Sequence, residues 1–318
     1  MKRTILGKTG IRVSVAGLGV LPMGPNQRAL NVDEGARIIR YALDRGVNFI
    51  DTAQYYRTHA YIKKALEGGS YPDVVISSKS LCEDYDGMMQ AIEEERAGLG
   101  RDVIDIFLMH EVRSGELERR TGAWQALRDA KEQGLVRAIG LSTHHVDVTA
   151  AAAQLEGLDV VFPLINYAGM GIRKGDSFAT REEMMEAIRL CSRAGKGVFS
   201  MKVFGGGGLT GHYQQALDYV YAQPEIQSVM IGFGNTAEVD DLLNYLSGTM
   251  PAHYNPDVSM KKVYIDQGDC EGCGACKAAC PNGAIFYNEN GLAQVDHEKC
   301  LTCGYCSPVC PVRAVIMY

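Results

Sequence analysis

The sequence has no apolar run close to the roughly 20 residues that a helix needs to cross a bilayer. Helical membrane spans are therefore excluded. The first residues, MKRTILGKTGIRVSVAGLG, carry basic side chains but no unbroken apolar stretch and no small-residue cleavage site. No secretory signal is read there, and a cytoplasmic location is expected. Basic charge is not in excess: 32 Lys and Arg stand against 38 Asp and Glu, a formal net charge of −6. That balance argues against nucleic acid as a partner. Cysteine is not abundant either, at 10 in 318 residues. Its placement is what matters. Cys82 and Cys191 stand apart and read as small buried hydrophobes, while the rest fall within residues 270–310. A small secreted domain would use such a group for disulfides. In a chain without a secretion signal, metal is the better reading. Composition is otherwise globular, 46% hydrophobic and 22% charged, and the length predicts one large domain plus a small one.

From residue 32 to about 246, helical patterns alternate with short β-rich runs. NVDEGARIIRYALDRG places Ala36, Ile39, Ala42 and Leu43 on one helical face, with Asn31 and Glu34 as a capping box and Gly46 as a stop. The runs VAGLGV, VNFIDTA, VVISSK, IDIFLMH, VRAIGLST, DVVFPLIN, GVFSMKV and SVMIGFG read as buried strands. Helices are expected near Met88–Leu99, Ala123–Gln133, Val146–Leu155, Arg181–Ala194, Tyr213–Ala222 and Ala237–Leu246. Near-continuous apolar strands separated by helices imply a parallel sheet covered on its outer face. Eight strand–helix units in this length predict a closed (β/α)8 barrel, an α/β fold of the TIM type. A hairpin turning at Lys8–Gly10 is expected to plug the barrel bottom. SGTMPAHYNPDVS breaks the rhythm with glycine, prolines and polar residues. The expected division is a barrel over 1–247, a linker over 248–261 and a small domain over 262–318.

In that last stretch Cys270, Cys273, Cys276 and Cys280 recur thirty residues later as Cys300, Cys303, Cys306 and Cys310. Pro281 and Pro311 follow the same offset, so C-x2-C-x2-C-x3-C-P is written twice. Zinc, the rival reading, needs four ligands and explains neither the third cysteine of each run nor the trailing proline. The duplicated pattern resembles the bacterial two-cluster ferredoxins, small α+β domains in which the fourth cysteine of a run reaches across to the other cluster. The resemblance implies two 4Fe–4S clusters. One would be held by Cys270, Cys273, Cys276 and Cys310, the other by Cys300, Cys303, Cys306 and Cys280.

Chemistry in such barrels sits at the C-terminal ends of the strands. Asp51 ends the second strand and Tyr56 lies in the loop after it; Lys79 ends the third strand and His110 the fourth. Each alone has a dull explanation as a capping, packing or solvated residue, yet consecutive strand ends must meet at one mouth. FIDTAQYY, ISSK, LMH and IGLST resemble the aldo-keto reductase superfamily over roughly residues 1–245. The resemblance implies a catalytic set of Asp51, Tyr56, Lys79 and His110. Tyr56 would be the general acid, and base in reverse. Lys79 would lower the phenol's pKa, Asp51 would hold Lys79 charged and in place, and His110 would orient the carbonyl oxygen.

The same resemblance implies NADH or NADPH. Ser142 and Thr143 fall where the family grips the carboxamide, with Asn166 as a third contact. Met201 stands where many members stack a Tyr, followed by Lys202. KVFGGGGL suits a pyrophosphate, which nominates Phe204, Gly205, Gly207 and Leu209. In IGFGNTAEVDDLLN, Gly232, Gly234, Glu238 and Asp241 would face the adenosine end, and the acids there, Asp240 included, lean the expectation toward NADH. His144 and His145 follow strand five as mouth-lining or simply exposed residues. No flavin motif is found to bridge hydride and single-electron chemistry. The expected function is reduction, or reversible oxidation, of a small carbonyl or alcohol, with the clusters passing electrons to an external carrier. The alternative is an electron-transfer protein whose barrel is a docking and cofactor-binding body.

Overall fold

The computed structural model describes residues 1–257, 261–280, 282–300 and 304–317. Strands β1 (Arg3–Ile5) and β2 (Arg12–Ser14) form an antiparallel hairpin. Next come β3 (Ala16–Gly19), α1 (Val32–Asp44), β4 (Phe49–Asp51), α2 (His59–Leu66), β5 (Val75–Ser80), α3 (Tyr85–Leu99), β6 (Ile104–Met109) and α4 (Thr121–Glu132). The chain continues through β7 (Val136–Thr143), α5 (Val146–Ala152), β8 (Val160–Pro163), a short hairpin of β9 (Arg173–Lys174) and β10 (Ser177–Phe178), and α6 (Arg181–Arg193). It then runs through β11 (Gly197–Ser200), α7 (Tyr213–Tyr221), β12 (Ser228–Gly232) and α8 (Thr236–Ser247). The closed barrel has the order β11-β12-β3-β4-β5-β6-β7-β8, every neighbouring pair parallel.

The expected strands and the closed parallel barrel are all present. Helix α2 was not foreseen; HAYIKKAL is short, and its buried side chains Tyr61, Ile62 and Ala65 give a weak periodic signal. Asn31 caps α1 by accepting from the Glu34 amide at 2.9 Å. At α6 the box is complete, with Thr180 and Glu183 capping each other's backbone.

Two cores result from the alternation of side chains across the strands. The outer one packs strands against helices. The inner one fills the barrel with Phe49, Val75, Ile106, Leu108, Val160, Phe162, Phe199 and Met230. Leu6, Ile11 and Val13 of the N-terminal hairpin belong to this inner core, so the hairpin does close one end. The other end is left to polar residues. Strand β8 approaches β7 so closely that a Cβ at Gly140 would stand 1.9 Å from the Val160 carbonyl oxygen, which restricts this position to glycine.

The C-terminal part contains β13 (Val263–Ile265), α9 (Ala275–Ala279), β14 (Ile285–Tyr287), β15 (Ala293–Val295), α10 (Cys306–Val309) and β16 (Val315–Met317). Strand β13 pairs with β16 and β14 with β15, both antiparallel, so each copy of the duplicated sequence gives one strand to each pair, around a core of their own. This part lies across the barrel mouth: β16 runs over the glycine-rich turn 205–207, and residues 266–269 reach the rim above Tyr55 and Tyr56.

Candidate active site and cluster-binding region

The structure brings Asp51, Tyr56, Lys79 and His110 to one rim. Asp51 and Lys79 come from adjacent strands whose register sets Asp51 beside Ser77, two residues before Lys79. Lys79 is 1% exposed and Asp51 4%, and the ammonium contacts both carboxylate oxygens at 2.9 and 2.7 Å. Its remaining proton goes to the Thr52 carbonyl at 2.6 Å. Burial pushes the Asp51 carboxyl up and the Lys79 amine down. Each charge opposes that push in the other, and the two-oxygen contact keeps them a pair.

Tyr56 sits on a single 3-10 turn, Gln54–Tyr56. The turn is pinned by Gln54, which accepts from Ser80 Oγ at 2.7 Å and donates to Glu94 at 2.6 Å. The Tyr56 ring meets His110 edge to face, 5.6 Å between centroids, and Lys79 Nζ stands 4.6 Å from the Tyr56 ring centre. Burial first, then the charges of Asp51, Asp266, Asp269 and Glu111, hold the phenol well above its ordinary 10. This differs from the expected lowering by Lys79: burial and the four carboxylates prevail over the ammonium. His110 is held neutral: burial, followed by the Lys79, Arg120 and Lys202 charges, keeps it well below 6.5. Its Nδ1 is buried without a partner among the described residues.

Sequence reasoning missed Arg120. Its side chain is 2% exposed and donates to the carbonyls of His110, Ser80 and Cys82, tying together the ends of β5 and β6. An Arg at the start of a helix carries no local signal of such a role. His144, one of two readings left open, is buried at the mouth and held neutral by burial. His145 instead contacts Ser114 at 2.8 Å.

Two neighbouring spaces open beside Tyr56, sharing Leu21, Met201, Lys202 and Ile316 in their walls. The smaller is lined by Tyr55, Tyr56, Lys79, His110, Glu111, Ser142, Thr143 and His144, and is roofed by Asp266, Gly268, Asp269 and Ile316 of the C-terminal part. Tyr55 ties the roof to the turn that carries Tyr56, donating to Asp266 at 3.2 Å and accepting from the Gly268 amide at 3.1 Å. The larger is a cleft with about 1040 Å³ of empty volume. It runs from Asp51, Tyr56, Phe162 and Met201 to Gly232, Gly234 and Glu238.

The expected nucleotide residues divide accordingly. Met201, Lys202, Phe204, Gly207, Gly232, Gly234 and Glu238 line the cleft. Ser142 and Thr143 line the smaller space, where Ser142 accepts from the Glu111 amide at 2.9 Å and Thr143 donates to the Val112 carbonyl at 2.6 Å. Asn166 is fully buried, and its amide is spent on the Met170 backbone at 2.9 Å. Gly205 and Leu209 pack on each other outside the cleft. Asp241 also lies outside it, bonded to Tyr254. Arg28, Gln27 and Lys261, none of them anticipated, line its far end.

Among the described residues of the C-terminal part, Cys270, Cys273, Cys276, Cys280, Cys300 and Cys310 form no disulfide. The Cys276 thiol is pushed up to about 11 by burial, then by Cys310, Cys270 and Cys273 beside it. Cys280, Cys300 and Cys306 line a mostly apolar cavity with Gly304 and Tyr305. Cys303 lies outside the described residues. Among the described residues no three His, Cys, Asp or Glu side chains converge as a site for a single metal ion.

A barrel with this rim defines a class. Residues 17–218 match the family model for the aldo/keto reductase family, and the chain belongs to that family. Residues 263–317 match a 4Fe-4S dicluster domain. Among relatives, L-galactose dehydrogenase of Arabidopsis thaliana is 23% identical over 280 residues, spanning 74% of this chain and 85% of its own. The 2,5-diketo-D-gluconic acid reductase B of a Corynebacterium strain is 32% identical over 118 residues, 36% of this chain and 42% of its own. The holo form of an aldo-keto reductase from Bacillus halodurans superposes with a TM-score of 0.65 at 17% identity, over 79% of this chain and 93% of that one, a likeness of fold. Among the described residues no helix is long and apolar enough to cross a membrane.

Proposed function

We propose that this enzyme reduces, or reversibly oxidises, a small carbonyl or alcohol compound with NADH or NADPH, and that it carries two 4Fe–4S clusters. The observation that carries the reading is one rim. A buried protonated phenol, a neutral imidazole and a lysine–aspartate pair face a space beside an open cleft. A nicotinamide bound in the cleft supplies the hydride. Tyr56 donates the proton to the developing alkoxide, and His110, neutral and without a partner at Nδ1 among the described residues, orients the carbonyl oxygen. Lys79 sets the field at Tyr56 and Asp51 holds Lys79. Met201 and Phe162 form the apolar bed at the barrel centre. Ser142, Thr143 and Asn166 act through the backbone they fix, and Glu238 closes the adenosine end.

The cysteines fit clusters better than zinc. Cys276 has Cys270, Cys273 and Cys310 as neighbours, the crossed set expected for one cluster, and a third cysteine in each run has no place in a four-ligand zinc site. Cys280, Cys300 and Cys306 around one cavity fit the second, with Cys303 as its fourth ligand. Clusters of this kind carry single electrons when bound. We assign the barrel to residues 1–247, the linker to 248–261 and the cluster domain to 262–318, in a cytoplasmic protein served by an external electron carrier.

The test is anaerobic turnover of a panel of small carbonyl compounds with each nucleotide, alongside the absorbance and electron paramagnetic resonance of the clusters. Carbonyl-dependent oxidation of the nucleotide supports the reading. Nucleotide binding with no turnover of any carbonyl, and clusters that still exchange electrons, would favour the docking-body alternative.

A further inference from the structure

The two copies of the cysteine run differ at one turn. Gly283 and Arg313 are matching positions, each placed just beyond the last cysteine of its run. Their amides reach back to the carbonyls of Cys280 and Cys310, and both take a left-handed backbone, φ +60° and +58°. Glycine adopts such a turn freely, whereas arginine is disfavoured there. The Arg313 side chain is in an equally demanding place. It is 4% exposed, folded into the seam between the C-terminal part and the barrel. Gly171, in the loop between β8 and β9, makes room for it: a Cβ there would stand 2.3 Å from Arg313 Cγ. Arg173 in β9 pins the same turn to the barrel by donating to the Pro311 carbonyl at 2.9 Å. Arg313 Nη1 donates to the Ser307 carbonyl, and Nε is buried without a partner among the described residues. Among the described residues no carboxylate pairs with this guanidinium; the group whose charge acts on it is Cys310. A buried cation without a counter-charge is costly. Four cysteine thiolates outweigh the charge of the iron–sulfur core they hold, so a cluster on Cys310 would be the missing anion.

We propose that Arg313 tunes electron storage: its buried charge makes the cluster on Cys270, Cys273, Cys276 and Cys310 easier to reduce than the one on Cys280, Cys300, Cys303 and Cys306. This rests on the two-cluster reading above. Reduction adds one electron and no atom, so the negative charge grows by one, and a cation held in a low dielectric favours that state. The other run has Gly283 at the matching turn, with open space around it and no charge to offer. Cys270, in the favoured set, directly follows Asp269 of the roof above Tyr56. The first electron to arrive is therefore stored in the set of cysteines joined to the catalytic mouth.

The experiment is an anaerobic potentiometric titration with dithionite and redox dyes, read by electron paramagnetic resonance, with iron and sulfide counted in each sample. The unaltered chain is expected to show two distinct one-electron steps. Arg313→Gly should lower the higher step about tenfold in its reduction equilibrium constant, about 59 mV for one electron, and leave the lower step in place. Arg313→Lys should keep most of the difference. If Arg313→Gly loses iron, Arg313→Gln set against Arg313→Lys asks the same question with the space at Gly171 still filled: the neutral variant shifts and the charged one does not. A merely structural role would change iron content or unfolding and leave both potentials in place. Coincident steps in the unaltered chain, steps that stay put in the neutral variants, or a shift of the lower step overturn the assignment while leaving the clusters standing. Iron short of two clusters per chain in the unaltered protein overturns the two-cluster reading and this inference with it.

Discussion

Lys79 has three ammonium protons, and the chain supplies three acceptors, two on Asp51 and one on Thr52. None is left for Tyr56, whose phenol burial keeps protonated. That state suits proton donation and makes the phenolate costly. Carbonyl reduction should therefore be nearly independent of pH between about 7 and 9, whereas alcohol oxidation should climb with pH. A bell centred near neutrality in the reductive kcat/KM profile would contradict this. Tyr56→Phe should lower reduction about a hundredfold to ten-thousandfold while nucleotide binding, read by fluorescence, persists. Removing the partner of a buried charge is a different kind of loss. Asp51→Asn should cost about 3–5 kcal/mol in denaturant unfolding, because Lys79 is left uncompensated. The neutral histidines add a pH term to stability. The folded pKa values of His110 and His144 are depressed by burial, so their contribution is present above the unfolded value near 6.5 and is lost as pH falls below it. The unfolding midpoint should drop below about pH 6.5, and His144→Gln should flatten that drop.

At the scale of elements, the glycine-rich segment after β11 meets a neighbour that lies far along the chain. Gly207 has φ +92°, and a Cβ on it would stand 2.3 Å from the Met317 carbonyl oxygen in β16. Gly207→Ala should therefore displace the C-terminal strand and add backbone strain of about 1 kcal/mol or more. The expected readout is faster protease cleavage within residues 263–317 and a lower unfolding midpoint. An unchanged cleavage rate would show that the strand is held elsewhere. From sequence these glycines read only as a pyrophosphate cradle, because a contact across more than a hundred residues leaves no local pattern. The barrel strands were legible for the opposite reason: a strand buried on both faces is apolar along nearly its whole length, as Ile104–Met109 is apart from Asp105. Asp51, Lys79 and His110 were legible because strand ends fix which residues face the mouth. Arg120, Arg28 and the roof of Asp266 and Asp269 were not, since each reaches the site from a loop or another part of the chain.

Across the whole molecule, the domain that matches a 4Fe-4S dicluster domain is also a wall of the candidate active site. Its own core is small, and Cys276, Cys306 and Cys310 are among its buried members alongside Val263, Ile265, Ile285, Ala293, Ala314 and Val315. With clusters bound as proposed, a core of that size would depend on the ligated metal for cohesion. The same segment supplies Asp266, Gly268, Asp269 and Ile316 to the space above Tyr56, and Lys261 and Met317 to the cleft. The barrel, by contrast, closes its bottom with its own hairpin and keeps a large core without help. Stripping the iron with a chelator should therefore leave the barrel's circular dichroism nearly intact. Hydrogen exchange should accelerate in Val263–Ile265, in Val315–Met317 and in the turn Gly205–Gly207 beneath them. KM should rise for the nucleotide and the carbonyl compound together, because both spaces lose a wall in the same event. Accelerated exchange in the C-terminal strands with both KM values unchanged would mean that those strands touch the mouth without shaping what it binds. The union of barrel and cluster domain would then concern electrons alone.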